Sequence, residues 1–436
     1  MADAPAPASK QPSKLSTENL PPQVVRLRPA HESRPQLVLA FTGPLGSGVS
    51  TLSRLLEQEH FTRLSLSDAI KREWHAVHQG KELLPFCQKD TPGWRQELQD
   101  IGDEKRKASN DYWLQEALKR APADVDLVID GIRNLGEIVA LRKTFPNCFV
   151  VAVLASSQTR WGRVKDNYDG QSKVFERDDQ RDSDEDKDNG QQVEKCVQIA
   201  DYVIWNETNL APQSVRDKEL MDRIRPEIAL MRGSLVRYPT EAETYITSAY
   251  AISYGSRCMK RFVGAVIVSD KGIPLSQGYN ENPLGMEPCE RQFHYCFKDA
   301  EMDSKLEAME KVFCPDCGTE HATRPAEWIC RSCGVNLKLR FFPSRNMELC
   351  TAIHAEERAI RSLGDRNAQG ATMYVTTFPC FQCSRYIVDA GIKRVVYVEA
   401  YPVKESEKFL TINGVAVFPF EGFKARAFNR IFKQRA

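Results

Sequence analysis

Residues 354–391 read HAEERAIRSLGDRNAQGATMYVTTFPCFQCSRYIVDAG, and their patterning sets the fold expected of the second half of the chain. HAEERAIRSLG (354–364) predicts a helix, ATMYVTTF (371–378) a strand, and CFQCSRYIVDAG (380–391) a second helix stopped by Gly391. KRVVYVEAY (393–401) then predicts another strand, so helices and strands alternate. Upstream, TEAETYITSAYAISYGSRCMKR (240–261) predicts an amphipathic helix, and FVGAVIVS (262–269) with PLSQGYN (274–280) a hairpin.

The first half alternates in the same way. PQLVLAFTG (35–43) reads as a buried strand feeding a glycine loop, and TLSRLLEQEH as the following helix, with Leu52, Leu55 and Leu56 on one face. DVDLVIDG (124–131), FVVAVLA (149–155) and ADYVIWNE (200–207) are further buried strands, which implies a parallel α/β sheet. FERDDQRDSDEDKDNG (175–190) holds eight acids and three bases between Glu176 and Asp188. It reads as a solvated, mobile segment, or as a lid over a nucleotide site. A mixed-charge helix (about 212–232) links the halves. The expected layout is a disordered tail (1–34), poor in large apolar groups, a nucleotide-binding domain (35–232) and a second α/β domain (233–436). No internal repeat is visible.

The 436 residues are too many for one ordinary core, and 42% hydrophobic with 27% charged is the composition of a globular protein. Lys and Arg number 60 against 59 Asp and Glu, a net charge of +1, so no global basic field argues for a nucleic-acid or membrane partner. No apolar run approaches a membrane span, and the first residues lack a secretory pattern; a cytoplasmic protein is expected. Thirteen cysteines in such a chain, mostly clustered after residue 257, point to metal rather than disulfides.

Two cysteine groups carry that expectation. His354 and Glu356 form H-A-E, and 26 residues after the histidine comes Cys380 of a P-C-x-x-C that ends at Cys383, the pattern shared by zinc nucleobase deaminases. Two sulfurs three residues apart at a helix start can face one point, and one imidazole leaves a fourth tetrahedral position for water. Zinc lowers the pKa of such a water from about 15.7 to about 7, worth roughly 12 kcal/mol. Glu356, two residues from the ligand, is placed to shuttle its proton. A purely structural site would need a fourth Cys or His instead. Cys314, Cys317, Cys330 and Cys333 form C-x2-C-x12-C-x2-C with a glycine after each pair, a four-thiolate zinc ribbon with no open position, inserted at about 310–345.

GPLGSGVST (43–51) nearly matches the phosphate loop G-x-x-x-x-G-K-[ST], but Val49 stands where lysine belongs. Gly43, Gly46 and Gly48 retain the cradle, since backbone N–H groups and the helix dipole attract anions without lysine. Ser50 or Thr51 could contact Mg²⁺, with Asp130 assisting from the end of its strand. Phosphoryl transfer is compromised, because developing charge must be neutralised; Arg133 is one candidate substitute. Nucleotide sensing, a degenerate scaffold and a working kinase all stay open.

SRCMKRFVGAVIVSDKG, GYNENPLGMEPC, MELCTAIHAEERAI and PCFQC together resemble the deoxycytidylate deaminase family of the cytidine deaminase fold. That resemblance implies a cytidine deaminase-like α/β/α domain, a deoxycytidine nucleotide substrate and a sugar contact from Asn280, which otherwise reads as a turn former. It also implies a further structural zinc at Cys258, Cys289 and Cys350, with His294 or Cys296 completing the set; buried free thiols are the alternative. GPLGSG, VIDGIRNLGEIVALR and ADYVIWNE resemble the deoxynucleoside monophosphate kinase group of P-loop proteins. The order of parts is similar to that of the bacterial anti-phage dCTP deaminases. That implies depletion of dCTP, and also of dCMP, a regulatory nucleotide at the P-loop, homo-oligomers such as a hexamer, and restraint by a small RNA. Competing expectations are a bifunctional salvage dCMP deaminase and kinase, a polynucleotide-editing deaminase, and a non-enzymatic nucleotide sensor.

Overall fold

In the computed structural model, residues 24–27, 36–77, 94–183, 190–207, 212–309, 311–321, 328, 330–332, 335–342, 347–399 and 404–433 are described. Their strands, in chain order, are β1 (Val24–Leu27), β2 (Val38–Thr42), β3 (Thr62–Ser65), β4 (Leu127–Ile132), β5 (Cys148–Leu154), β6 (Tyr202–Trp205), β7 (Leu235–Arg237) and β8 (Gly264–Val268). The series continues with β9 (Pro274–Tyr279), β10 (Val312–Phe313), β11 (Glu320–His321), β12 (Thr372–Thr377), β13 (Arg394–Glu399), β14 (Ala416–Pro419) and β15 (Gly422–Phe423).

One sheet has the order β15-β6-β5-β2-β4-β3. β2 to β6 pair in parallel, and every residue of β2 and β5 is buried, as befits strands covered on both faces. The glycine loop leads from β2 into the helix Val49–Glu57, which buries Leu52 and Leu56 while Leu55 is half-buried. The second sheet has the order β14-β13-β12-β8-β9. Its β12, β13 and β14 are parallel, and the β8–β9 hairpin joins antiparallel through β8.

The halves share a core. One apolar cluster runs from Val38, Ala40, Ile129 and Val150 to Ile246, Ala249, Val266, Tyr374 and Val398. The chain also crosses back: β15 pairs antiparallel with β6, and Phe423 joins the cluster of Tyr202, Leu220 and Ile224. Residues 422–423, placed by sequence in the second domain, therefore complete the sheet of the first. Arg237 anchors this crossing through a two-pronged ion pair with Glu243, while the Phe423 amide donates to the same carboxylate.

Two stretches differ from the sequence reading. Within the expected disordered tail, Val24–Leu27 forms a strand against β7, since VVRL opens with the β-branched residues that strands favour; the rest of 1–34 lies outside the described residues. The acidic segment begins as a helix, Ser172–Ser183, because Phe175 is buried against Trp161 and Tyr168, and Asp179 pairs with Arg160. Residues 184–189 of that segment lie outside the described residues. Among the described residues, no helix is long and apolar enough to cross a membrane.

Candidate metal centre

Two helix starts meet at one point. His354 is the N-cap of the helix Ala355–Arg361, and Cys380 is the N-cap of the helix Phe381–Asp389. Cys383 lies in the first turn of the latter, so both sulfurs are at its positive end, where thiolates are favoured. His354 Nδ1 is 3.4 Å from Cys380 Sγ and 3.3 Å from Cys383 Sγ, and one ligand atom from each residue lies within 4.8 Å of the others. An imidazole and two buried thiols at that spacing are a donor set zinc prefers, so the residues fit the ion.

Electrostatics support the same reading. Cys380 is lowered to about 4 by its hydrogen bond with Cys383 and then by His354, although burial opposes this. Burial also opposes charge on His354, but contacts with Cys350 and Cys380 draw the imidazole up to about 11. The chain has thus gathered sulfur that calls for positive charge, which a divalent cation would supply in place of a proton. Glu356 follows in the first helical turn, only 4% exposed, and burial pushes its carboxyl up to about 7. A buried acid beside an imidazole–thiol triad can take up and return a proton near neutral pH.

β9 ends at Tyr279, and Asn280 follows, buried. Its amide nitrogen donates to the Arg261 carbonyl at 2.9 Å, and its oxygen accepts from the Val263 amide at 2.8 Å. The side chain is thereby fixed in orientation, while an amide has one more donor and one more acceptor position than these two bonds use.

Cys314, Cys317 and Cys330 also converge within 4.8 Å, with Cys317 Sγ 3.6 Å from Cys330 Sγ. Cys314 and Cys330 belong to a small core with Leu306, Val312, Trp328 and Leu337. Cys333 lies outside the described residues. Cys258, Cys289 and Cys350 do not gather into such a set: among the described residues, only the two groups above do. They instead line a cavity that reaches Ala352, next to the metal centre, and that Cys296 and Glu281 also line. The Cys289 thiol sits 3.2 Å from Thr351 Oγ1.

In the glycine loop, Gly46 and Gly48 have φ of 79° and 104°, and a Cβ on Gly48 would lie 2.3 Å from Asn206 Nδ2. Arg160, Arg163 and Asn206 hold the loop carbonyls of Leu45, Gly46 and Ser47. Ser50 donates to Asp130 Oδ1 at 3.2 Å, bringing together the hydroxyl and the acid that the sequence suggested for Mg²⁺. Asp130 Oδ2, however, is held by Arg63, whose Nε lies 3.2 Å away. Mg²⁺ at Oδ2 would have to displace that guanidinium, whereas Oδ1 faces the Ser50 hydroxyl. Thr51 is half-buried in the first turn of the helix, and Gly43 opens the loop. Arg133 donates to Gln191 Oε1 at 2.6 Å.

Sequence reasoning missed Arg63, an unremarkable charge within a strand pattern. It also missed the contact of Cys350 with His354, whose only signal was a spacing of four residues, and passed over Arg261 inside a stretch quoted for other reasons.

The family model for the cytidine and deoxycytidylate deaminase zinc-binding region matches residues 239–399. Deoxycytidylate deaminase of Enterobacteria phage T2 is 30% identical to this chain, over 41% of this chain and 91% of its own length. Deoxycytidylate deaminase of Saccharomyces cerevisiae is 32% identical over 47% of this chain, and the match spans 50% of the length of that relative. A solved dCMP deaminase from the cyanophage S-TIM5, in complex with dCMP and dUMP, is 21% identical, covering 41% of this chain and 95% of its own with a TM-score of 0.26.

Proposed function

The chain belongs to the deoxycytidylate deaminase family, and from that premise we propose that it hydrolyses the exocyclic amine of deoxycytidine nucleotides, dCTP and dCMP, to give deoxyuridine nucleotides and ammonia. The observation that carries this is the convergence of His354, Cys380 and Cys383 with Glu356 buried two residues from the imidazole. His354, Cys380 and Cys383 would hold zinc, which supplies the Lewis acidity that makes water a nucleophile near neutral pH. Glu356 would take one proton from the attacking water and pass it to the ring nitrogen, then take the second proton of that oxygen as the carbonyl forms and hand it to the departing amine, which leaves as ammonia. Asn280, fixed by the backbone of Arg261 and Val263, offers its remaining amide hydrogen to the sugar.

The glycine-loop half is the regulator in this reading. Its cradle persists, its lysine is absent, and Asp130 is neutralised by Arg63, which suits nucleotide binding better than phosphoryl transfer. The defence role, depletion of dCTP during phage infection, is supported by the resemblance in the order of parts. The relatives, themselves deoxycytidylate deaminases, favour a second reading in which dCMP is the preferred substrate.

The deciding experiment incubates zinc-loaded full-length protein with dCTP, dCMP, deoxycytidine and single-stranded DNA and scores the uracil product. Glu356→Gln should keep its zinc and lose activity by roughly 10²–10⁴-fold. Turnover of DNA alone, or an active Glu356→Gln, sinks the proposal.

A further inference from the structure

The helix Val193–Gln198 belongs to the glycine-loop half, yet both its ends are fastened to residues from beyond position 233. At its start, Glu194 accepts a hydrogen bond from the Arg261 guanidinium, whose Nη1 also lies 3.7 Å from Glu399 Oε2. At its end, the buried Lys424 ammonium donates to the carbonyls of Val197 and Gln198. On its other side the helix is joined to the segment that follows β4, the strand of Asp130. There the Gln192 amide donates to the Arg133 carbonyl at 2.7 Å, and Asn134 Nδ2 to the Gly190 carbonyl at 2.9 Å.

The deaminase ends of these links are close to the chemistry. The Arg261 carbonyl is the acceptor that orients Asn280, and the neighbouring Val263 amide holds the other side of the same amide group. Glu399 accepts from Thr377 Oγ1 at 3.3 Å and, through its backbone, from the Phe378 amide at 2.8 Å, two residues before Cys380. A contact that moves Arg261 therefore moves the backbone on which Asn280 depends.

We propose that Arg261 is a positioning residue for the nucleotide sugar, and that its bond to Glu194 makes the helix Val193–Gln198 a strut by which the glycine-loop half sets the affinity of the deaminase pocket. This rests on the reading that Asn280 contacts the sugar. The strut carries no charge to the reacting ring, so its loosening weakens binding and leaves the chemical step alone.

The test uses zinc-loaded full-length protein carrying Glu194→Gln, Arg261→Lys or both, with dCMP and dCTP as substrates. Glu194→Gln should raise KM about three- to tenfold with kcat within about twofold of the parent, the pattern of lost uniform binding. Arg261→Lys, which keeps the cation, should retain part of the lost affinity, and the double variant should be no worse than the poorer single one. Amide exchange followed by mass spectrometry should quicken several-fold in peptides spanning 261–264 and stay unchanged in 372–377. Unchanged exchange at 261–264, or single effects that simply multiply in the double variant, overturns the strut. An inactive parent protein would overturn the deaminase reading, and the exchange experiment would still decide whether Glu194 holds Arg261 in place.

Discussion

Gly278→Ala should disable the enzyme from a position outside the metal-ligand set. Gly278 lies in β9, against the helix that carries Glu356. An added Cβ would meet Ala359 N at 2.4 Å, Ala355 O at 2.6 Å and Arg358 C at 2.9 Å, all backbone atoms that no rotamer change can clear. Ordinary contact begins at 3.4 Å, so the helix and strand must separate by 3.4 − 2.4, or about 1 Å, at the tightest point. Ser276 Oγ donates to the Ala359 carbonyl at 2.7 Å and resists that movement from the same strand. A misplacement of about 1 Å in a catalytic group costs on the order of 100-fold in rate, and such overpacking costs about 1–3 kcal/mol of stability. The assay is kcat for dCMP in the full-length protein, with zinc content and thermal melting measured on the same samples. Gly162→Ala serves as the control: it sits in the helix Ser157–Val164 with open space around its Cβ, so kcat should stay within about twofold. A Gly278→Ala protein that keeps its zinc and a kcat within about threefold of the parent would refute the reasoning.

Arg63→Met should leave Asp130, 2% exposed, without its cation and cost about 3–5 kcal/mol in a urea melt; a loss below about 1 kcal/mol would show that the pair is not needed. Elemental analysis should find two zinc ions per chain. Cys383→Ser should lose one of them together with all turnover, whereas Cys330→Ser should lose the other; loss of both from either change would mean that the sites are not independent. Burial holds Lys424 down to about 8 from its ordinary 10.5, against the pull of Glu399 and Asp201. Between those values the unfolded chain binds the extra proton, so stability should rise with pH from about 8 to 10.5, by about 3 kcal/mol at 1.36 kcal/mol per pH unit. Lys424→Met should flatten that slope in melts taken across the interval; an unchanged slope would assign it to other groups.

Much of the architecture was legible in the order of residues because it depends on local periodicity. The strands of PQLVLAFTG, DVDLVIDG and FVVAVLA announce burial on both faces by unbroken apolar runs. The metal triad was legible for a related reason: Cys380 and Cys383 are three residues apart, and one helix start suffices to aim both. Local reading failed where partners are remote. The family resemblance implied a ligand set of Cys258, Cys289 and Cys350, with free thiols as the alternative; in the fold all three line one cavity without converging as closely as His354, Cys380 and Cys383 do. The acidic run read as a solvated segment or as a lid, and neither reading used Phe175, one aromatic side chain whose burial anchors a helix.

The amino-acid order by itself determined the alternating elements, the ligand spacing of His354, Cys380 and Cys383, and the loss of lysine at Val49, since each follows from residues within one motif or one element. Only the tertiary structure decided that Arg63 answers Asp130, that Arg261 bridges to Glu194, and that Gly422 and Phe423 close the sheet of the other half. The first two contacts each join positions 67 residues apart, and the third brings Gly422 to Val203. Nothing in local propensity or periodicity constrains which distant side chain or strand a folded backbone will deliver.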